Sequence, residues 1–286
     1  RMTIRNNDFN VVSLNKKNYK WYDFLCEYYN VTPSQALELG TRKSGRKPSL
    51  PGSKTCQPVS DLNYEQIWAL KERKNPEDIF SFYRDQGAWS TFRQEVRHLE
   101  LKNFHRNVLN SVIRRPNMHF CEYGCGVAPY ASTLLLECPR DLTIDISISD
   151  VAGCEHLYFA EWKLNKIIEE RGLKNVTINT VPVEPTKLPK YHRPVDALLI
   201  FEVLEHVLSP IDTLNNIVKQ MSDQAMFVEN FIKHEHGDDD CDGPDLDSAA
   251  AERTKYYETL DEQFRLVGGH QESIDPNGTR FWIKNN

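Results

Sequence analysis

The chain has 286 residues, 40% hydrophobic and 27% charged, with 35 Lys and Arg against 41 Asp and Glu for a formal net charge of −6. This composition excludes collagenous, coiled-coil and wholly disordered chains, and no apolar run approaches the roughly 18 residues needed to cross a bilayer. The total hides an asymmetry, net +8 over residues 1–115 and net −14 over 116–286, which suits either a basic front for an anionic ligand or two solvated surfaces of opposite sign.

Residues 1–10 lack the apolar core of a signal peptide, and seven cysteines without a Cys-x-x-Cys pair fit reduced, packed thiols. The expected compartment is cytoplasmic, with no membrane partner. Trp21, Phe24, Leu25 and Tyr28 recur at helical spacing, Gly40 to Ser60 reads as a long Gly/Pro/Ser-rich loop, and Ile67 to Leu101 carries the apolar pattern of two or three amphipathic helices. Residues 1–115 are therefore expected to form a mostly helical N-terminal cap or substrate region. Arg42, Lys43, Arg46 and Lys47 have no aromatic residues between them, so nucleic acid is not the expected partner. In the segment Phe82 to Arg93 the polar Asp85-Gln86-Gly87 reads as a loop at a pocket mouth. Tyr83 and Trp89 on either side of it are candidates to touch a ligand, although aromatics at this spacing serve equally as core.

From Pro116 short apolar runs alternate with helical segments. Strands are expected at 119–123, 142–149, 176–181, 195–201, 225–232, 265–271 and 280–284, and helices near 128–136, 153–170, 212–220 and 248–264. That alternation predicts an α/β fold, a doubly wound Rossmann-like sheet over residues 116–286 whose ligand sits at the carboxyl ends of the strands.

The first strand runs into Glu122-Tyr123-Gly124-Cys125-Gly126 and then a helix. Gly124 and Gly126 permit a tight turn and close approach of a ligand, and the helix start offers free N–H groups. Pro129 stands where a dinucleotide fingerprint wants its third glycine, and Glu122 would repel a pyrophosphate while suiting an ammonium or sulfonium. Asp150 ends the second strand and can accept both hydroxyls of a ribose; Asp145, inside that strand, is the rival and reads as a partly exposed strand residue. Glu184, after the third strand, can accept from an adenine amino group.

With the segment Val195 to Val207, which contains Phe201-Glu202-Val203-Leu204-Glu205-His206, these features occur in an order that resembles the class I S-adenosylmethionine-dependent methyltransferases over about residues 116–286. The resemblance implies an antiparallel last strand and S-adenosylmethionine as cofactor. It places the amino-acid part near Glu122, Gly124 and Gly126, the ribose on Asp150 and the adenine near Glu184, with Phe201, Tyr83 and Trp89 as further cofactor contacts. Ala128 departs from the pattern, standing where many members have a third glycine.

Glu202, Glu205 and His206 follow the fourth strand at spacings that converge on one face if a helical turn starts there. With His234 or His236 they would form a half-shell for Mg²⁺ or Mn²⁺. The Glu-x-x-Glu-His arrangement is similar to that of the ubiquinone-pathway O-methyltransferases and the small-RNA terminal 2′-O-methyltransferases, whose residues bind such a metal. Related enzymes carry Leu-Glu-His without one, and then His206 is the general base, with Glu202 its catalytic companion. The expected activity is O-methylation of a small-molecule acceptor. The rivals are an RNA-terminus 2′-O-methyltransferase, a nicotinamide-dependent oxidoreductase and a non-catalytic nucleotide-binding module. The acidic run His234 to Asp247 reads as a solvated loop or a lid.

Overall fold

The apolar runs from Met118 onward pair into one sheet. The computed structural model describes residues 21–41, 50, 53–54, 64–233, 246–269, 275 and 277–286. Among these residues the strands are β1 (Met118–Tyr123), β2 (Ile144–Ser149), β3 (Val176–Thr180), β4 (Val195–Phe201), β5 (Met221–Asn230), β6 (Phe264–Gly269) and β7 (Arg280–Lys284). They lie in the order β3-β2-β1-β4-β5-β7-β6. β1 pairs in parallel with both β2 and β4, and β4 with β5. β7 runs antiparallel to both β5 and β6. Strand order reverses between β1 and β4, so the crevice above their carboxyl ends is where an open sheet of this kind holds a ligand.

Among the described residues five helices precede the sheet: α1 (Trp21–Tyr29), α2 (Pro33–Thr41), α3 (Tyr64–Ala69), α4 (Pro76–Glu100) and α5 (Lys102–Val112). Four more, α6 (Pro129–Glu137), α7 (Glu155–Arg171), α8 (Pro210–Val218) and α9 (Asp247–Gln263), alternate with its strands. The α4 start is set by Asn75, whose side chain accepts from Asp78 N–H while the Asp78 carboxylate accepts from Asn75 N–H. α7 stops at Gly172, which takes a left-handed φ of 64°.

The helices before Pro116 do not stand apart from the sheet. Leu25 and Tyr29 of α1, Phe92 of α4, Phe120 of β1 and Phe159 of α7 belong to one continuous apolar core, all with 0% exposure, and each such side chain contributes roughly 1.5–3 kcal/mol by leaving water. Tyr29 Oη also donates to Glu155 at 3.1 Å. Glu95 of α4 and Lys163 of α7 form an ion pair beneath this contact, both nearly inaccessible. α2 packs closely on α4 because Gly40 has no side chain: a Cβ there would lie 2.2 Å from Val96.

Two elements depart from the sequence expectation. Asp85-Gln86-Gly87 is no loop; the helix continues through it, kinked where Gly87 takes φ 57° and ψ −154°, a conformation that costs a glycine little. β5 begins at Met221, earlier than expected, because a register shift between Val195 and Ala197 lets the polar Ser222, Asp223 and Gln224 ride along the edge of the ladder. The basic residues at 42–47 and most of the acidic run from His234 lie outside the described residues.

Candidate functional site

The loop from β1 to α6 is built on left-handed backbone. Gly124, Gly126 and Ala128 take φ of 63°, 51° and 50°, and the N–H groups of Cys125, Gly126 and Val127 donate to Ser149 O, Asp150 and Gln94. A Cβ on Gly126 would lie 2.1 Å from Gln94 Oε1, so a side chain there would have to displace Gln94. Ala128 holds the same conformation with a methyl group, at a cost of roughly 1–2 kcal/mol. Asp150, at the end of β2, locks the loop: Oδ2 accepts from Gly126 N–H at 2.6 Å and Oδ1 from Val151 N–H at 2.7 Å.

Glu122 is only 4% exposed. Its oxygens accept from Tyr130 N–H at 3.3 Å and Ala131 N–H at 2.9 Å, the free donors at the start of α6. Burial nevertheless pushes its carboxyl up to about 8, against the lowering effect of those two N–H groups and of Lys163. The folded protein thus holds a proton there that the unfolded chain releases near its ordinary 4.5. Stability contributed by this group is therefore expected to fall as pH rises from about 4.5 to about 8, by up to ~1.4 kcal/mol per pH unit. Buried Glu229 is raised as well and acts with the same sign. Thermal melts between pH 5 and pH 8 check this: Glu122→Gln should flatten the slope, and an unchanged slope would remove Glu122 as its source.

These residues open into a cavity of about 840 Å³ at the carboxyl ends of β1, β2 and β4. Glu122, Gly124, Gly126, Asp150, Glu184, Phe201, Tyr83, Glu202 and His206 all line it. Glu184 sits at its rim, its side chain half exposed and 3.9 Å from Lys187 Nζ. The Phe201 ring stacks on Tyr130, centroids 4.9 Å apart and planes within 15°. Trp89 is the exception among the expected cofactor contacts. It is 3% exposed in the core and not part of the cavity wall, with the Arg93 guanidinium over its ring at 4.9 Å. The Gly87 kink resets the helical phase and turns Trp89 inward.

The fourth strand does not end in the helical turn that would converge Glu202, Glu205 and His206. Glu202 takes a left-handed φ of 54°, its N–H donates to Asn230 Oδ1 at 2.8 Å, and its carboxylate pairs with Arg97 at 2.9 Å. A short 3-10 turn, Leu204–His206, then buries Glu205 completely, 3.8 Å from His206 Nε2. Among the described residues these three do not form a group whose ligand atoms lie within 4.8 Å of one another. Their expected partners His234 and His236 lie outside the described residues. Cys121 and Cys125 are packing residues as expected: burial pushes the Cys121 thiol up to about 12 and raises that of Cys125 well above the ordinary thiol value.

Much of the wall was not foreseen. Ser90, Arg93, Gln94, Arg97 and His98 line the cavity from α4; they recur at i, i+3, i+4, i+7 and i+8, a polar stripe visible in the sequence as a helix face, while what that face packs against is not. Gln94 Oε1 accepts from Val127 N–H at 3.2 Å, so this helix caps the glycine loop. Ser90 Oγ meets His156 Nε2, and burial lowers the His156 imidazole despite Asp150 nearby. His98 Nδ1 lies 3.3 Å from His105 Nε2, and burial with the adjacent Lys163 and Lys102 drives His105 down to about 4. Both rings therefore stand neutral in the cavity wall.

No protein-family model matches the chain, and no curated protein does. Solved structures with a similar fold include the [4+2]-cyclase SpnF, at 15% identity and TM-score 0.47 over 64% of this chain and 81% of that one. Magnesium protoporphyrin IX methyltransferase from Synechocystis PCC 6803 with bound SAH is similar at 14% identity and TM-score 0.46, covering 67% of this chain and 85% of that one. A SAM dependent methyltransferase from Aquifex aeolicus is similar at 17% identity and TM-score 0.45, covering 73% of this chain and 97% of that one.

Proposed function

We propose that the chain is an S-adenosylmethionine-dependent methyltransferase acting on a hydroxyl of a small-molecule acceptor. The observation that carries this reading is the left-handed Gly124–Gly126 loop, tied to Asp150 and facing a large cavity at the sheet's switch point. The residues fit the cofactor. Gly126 adds no Cβ to the crevice, where the flexible Gln94 side chain reaches the loop, and Glu122 is a buried carboxylate that an ammonium group beside it would ionise. When bound, S-adenosylmethionine supplies a methyl group already activated by its sulfonium. The chain's own tasks are then alignment and removal of the acceptor's proton.

In this reading Glu122 and the glycine loop hold the amino-acid part, Asp150 takes the ribose hydroxyls, and Glu184 accepts from the adenine. Arg93 and Arg97 bring positive charge into the wall beside the loop, where a carboxylate would lie. Tyr130 and Phe201 keep water from the transfer. His206 accepts the acceptor's proton, with the buried Glu205 carboxylate beside it to stabilise the imidazolium that forms. Because Glu202 is engaged with Arg97, the reading assigns the proton to His206 and takes no step through a metal. Arg93 lies in the cavity wall and Arg97 is paired there with Glu202, so neither extends an open basic track, which favours a small acceptor over nucleic acid.

Calorimetry with S-adenosylhomocysteine tests the cofactor. Asp150→Ala should weaken binding by about 1–3 kcal/mol, roughly 5- to 150-fold, as its acceptor oxygens are lost. NAD should not bind. Unchanged affinity in folded Asp150→Ala, or preference for NAD, would place the cofactor elsewhere or make the site a dinucleotide's. Transfer of tritium from labelled donor to fractionated metabolites identifies the acceptor.

A further inference from the structure

At the opposite, amino-terminal edge of the sheet a second set of polar side chains converges, and its placement follows from strand register. His119 of β1 is paired with Asp145 of β2, and Ser147 of β2 with Asn179 of β3. Neighbouring strands at matched register present their side chains on the same face, and Ser147 is two residues beyond Asp145. His192, in the loop before β4, closes over them: its Nε2 meets Asp145 Oδ2 at 2.5 Å, and its ring lies 4.9 Å from that of His119. One ligand atom from each of His119, Asp145 and His192 lies within 4.8 Å of the other two.

We propose that His119, Asp145 and His192 bind a divalent transition ion of the zinc class. Two imidazoles and one carboxylate form the donor set such an ion prefers over Mg²⁺ or Ca²⁺. The other polar atom of two of these side chains is held in the manner of an outer shell. His119 Nδ1 lies 3.1 and 3.2 Å from the carbonyl oxygens of Arg193 and Pro194, which fixes its N–H there; Nε2 accepts from Ser147 Oγ at 2.7 Å, a bond the ion would displace by rotation of the hydroxyl. Asp145 Oδ1 accepts from Asn179 Nδ2 at 2.6 Å, leaving Oδ2 toward His192. Such partners fix the tautomer and orientation of a metal ligand. The ion would replace the proton shared between His192 and Asp145. Arg193, 3.9 Å from Asp145, keeps its bonds to Asn117 O and Asp196 when the ion enters. His192 is exposed and Asp145 partly so, which gives entry from solvent. The bound ion would clamp the loop before β4 onto β1 and β2, far from the cavity.

The test uses the full chain, stripped with chelator, titrated with Zn²⁺ by calorimetry and with Co²⁺ by visible absorption. His192→Ala, a change at an exposed residue, should remove one equivalent or weaken it at least tenfold, and should cancel the rise in Tm that Zn²⁺ gives the parent chain. The Co²⁺ spectrum should lack a thiolate charge-transfer band, and Cys154→Ser should bind as the parent does. Absence of saturable binding, or identical stoichiometry and affinity in His192→Ala, overturns the proposal and leaves a network that binds protons only. Loss in Cys154→Ser together with a thiolate band overturns it too, since the ion would then sit at Asp150, Cys154 and His156.

Discussion

Gly126→Arg is expected to abolish S-adenosylhomocysteine binding, a loss of at least a hundredfold by calorimetry. Two physical effects add. Gly126 sits at φ 51° with its N–H on Asp150, and an L-residue there costs roughly 1–2 kcal/mol. The new Cβ would then meet the Gln94 amide at 2.1 Å. Gln94 is the flexible end of a side chain and can move, but the rest of the arginine must then occupy the cavity where a cofactor would lie. The fold should survive, because Gly126 itself faces Gln94 and the cavity while its neighbours Cys125 and Val127 carry the packing into the apolar core; circular dichroism and a Tm within several degrees of the parent's would establish that. Binding retained in a folded Gly126→Arg chain would mean that the cofactor does not use this loop. Gly126→Ala is the graded companion, expected to weaken binding less.

The second large effect is expected at His206. His206→Ala should lower the rate of methyl transfer by about 10²- to 10⁴-fold, the usual worth of a positioned general base, while S-adenosylhomocysteine affinity changes little because its proposed contacts are Glu122, Gly124, Gly126 and Asp150. Imidazole in solution should restore part of the lost rate, which a purely structural role would not show. Under the proposed function, chelator should leave the parent chain active, since Glu202 is committed to Arg97 and the buried Glu205 faces His206. Loss of activity on chelation, restored by Mg²⁺ or Mn²⁺, would instead return Glu202, Glu205 and His206 to the role of metal ligands and require Glu202 to leave Arg97. Full activity of His206→Ala would move the proton acceptor elsewhere in the wall, where His98, His105 and His156 are the other imidazoles.

Both experiments rest on residues that the sequence made visible, and the reason is local. Gly124 and Gly126 are legible because left-handed backbone at the end of a buried strand selects glycine. Asp150 stands at the strand end and Asp145 inside the strand, and the structure puts Asp150 in the cavity while Asp145 pairs with Asn179 and His192 on the other edge. Trp89 and the convergence of Glu202, Glu205 and His206 went the other way. Both expectations assumed an uninterrupted local geometry, a surface loop in one case and a helical turn in the other. A kink at Gly87 and a left-handed Glu202 changed the direction of every side chain that followed.

By itself the sequence determined the alternation of strands and helices from Met118 onward, the helical character of the segment before it, and the loop at the switch point. Each depends on periodicity or on a backbone conformation that one residue type favours, and these act over a few neighbouring residues. Only the tertiary structure decided that α4 presents Ser90, Arg93, Gln94, Arg97 and His98 to the cavity, that Glu202 turns to Arg97, and that strand register sets His119 beside Asp145 under His192. Those outcomes join residues as much as 105 positions apart. They depend on which helix face packs on the sheet and on how strands align, and no local preference carries that information.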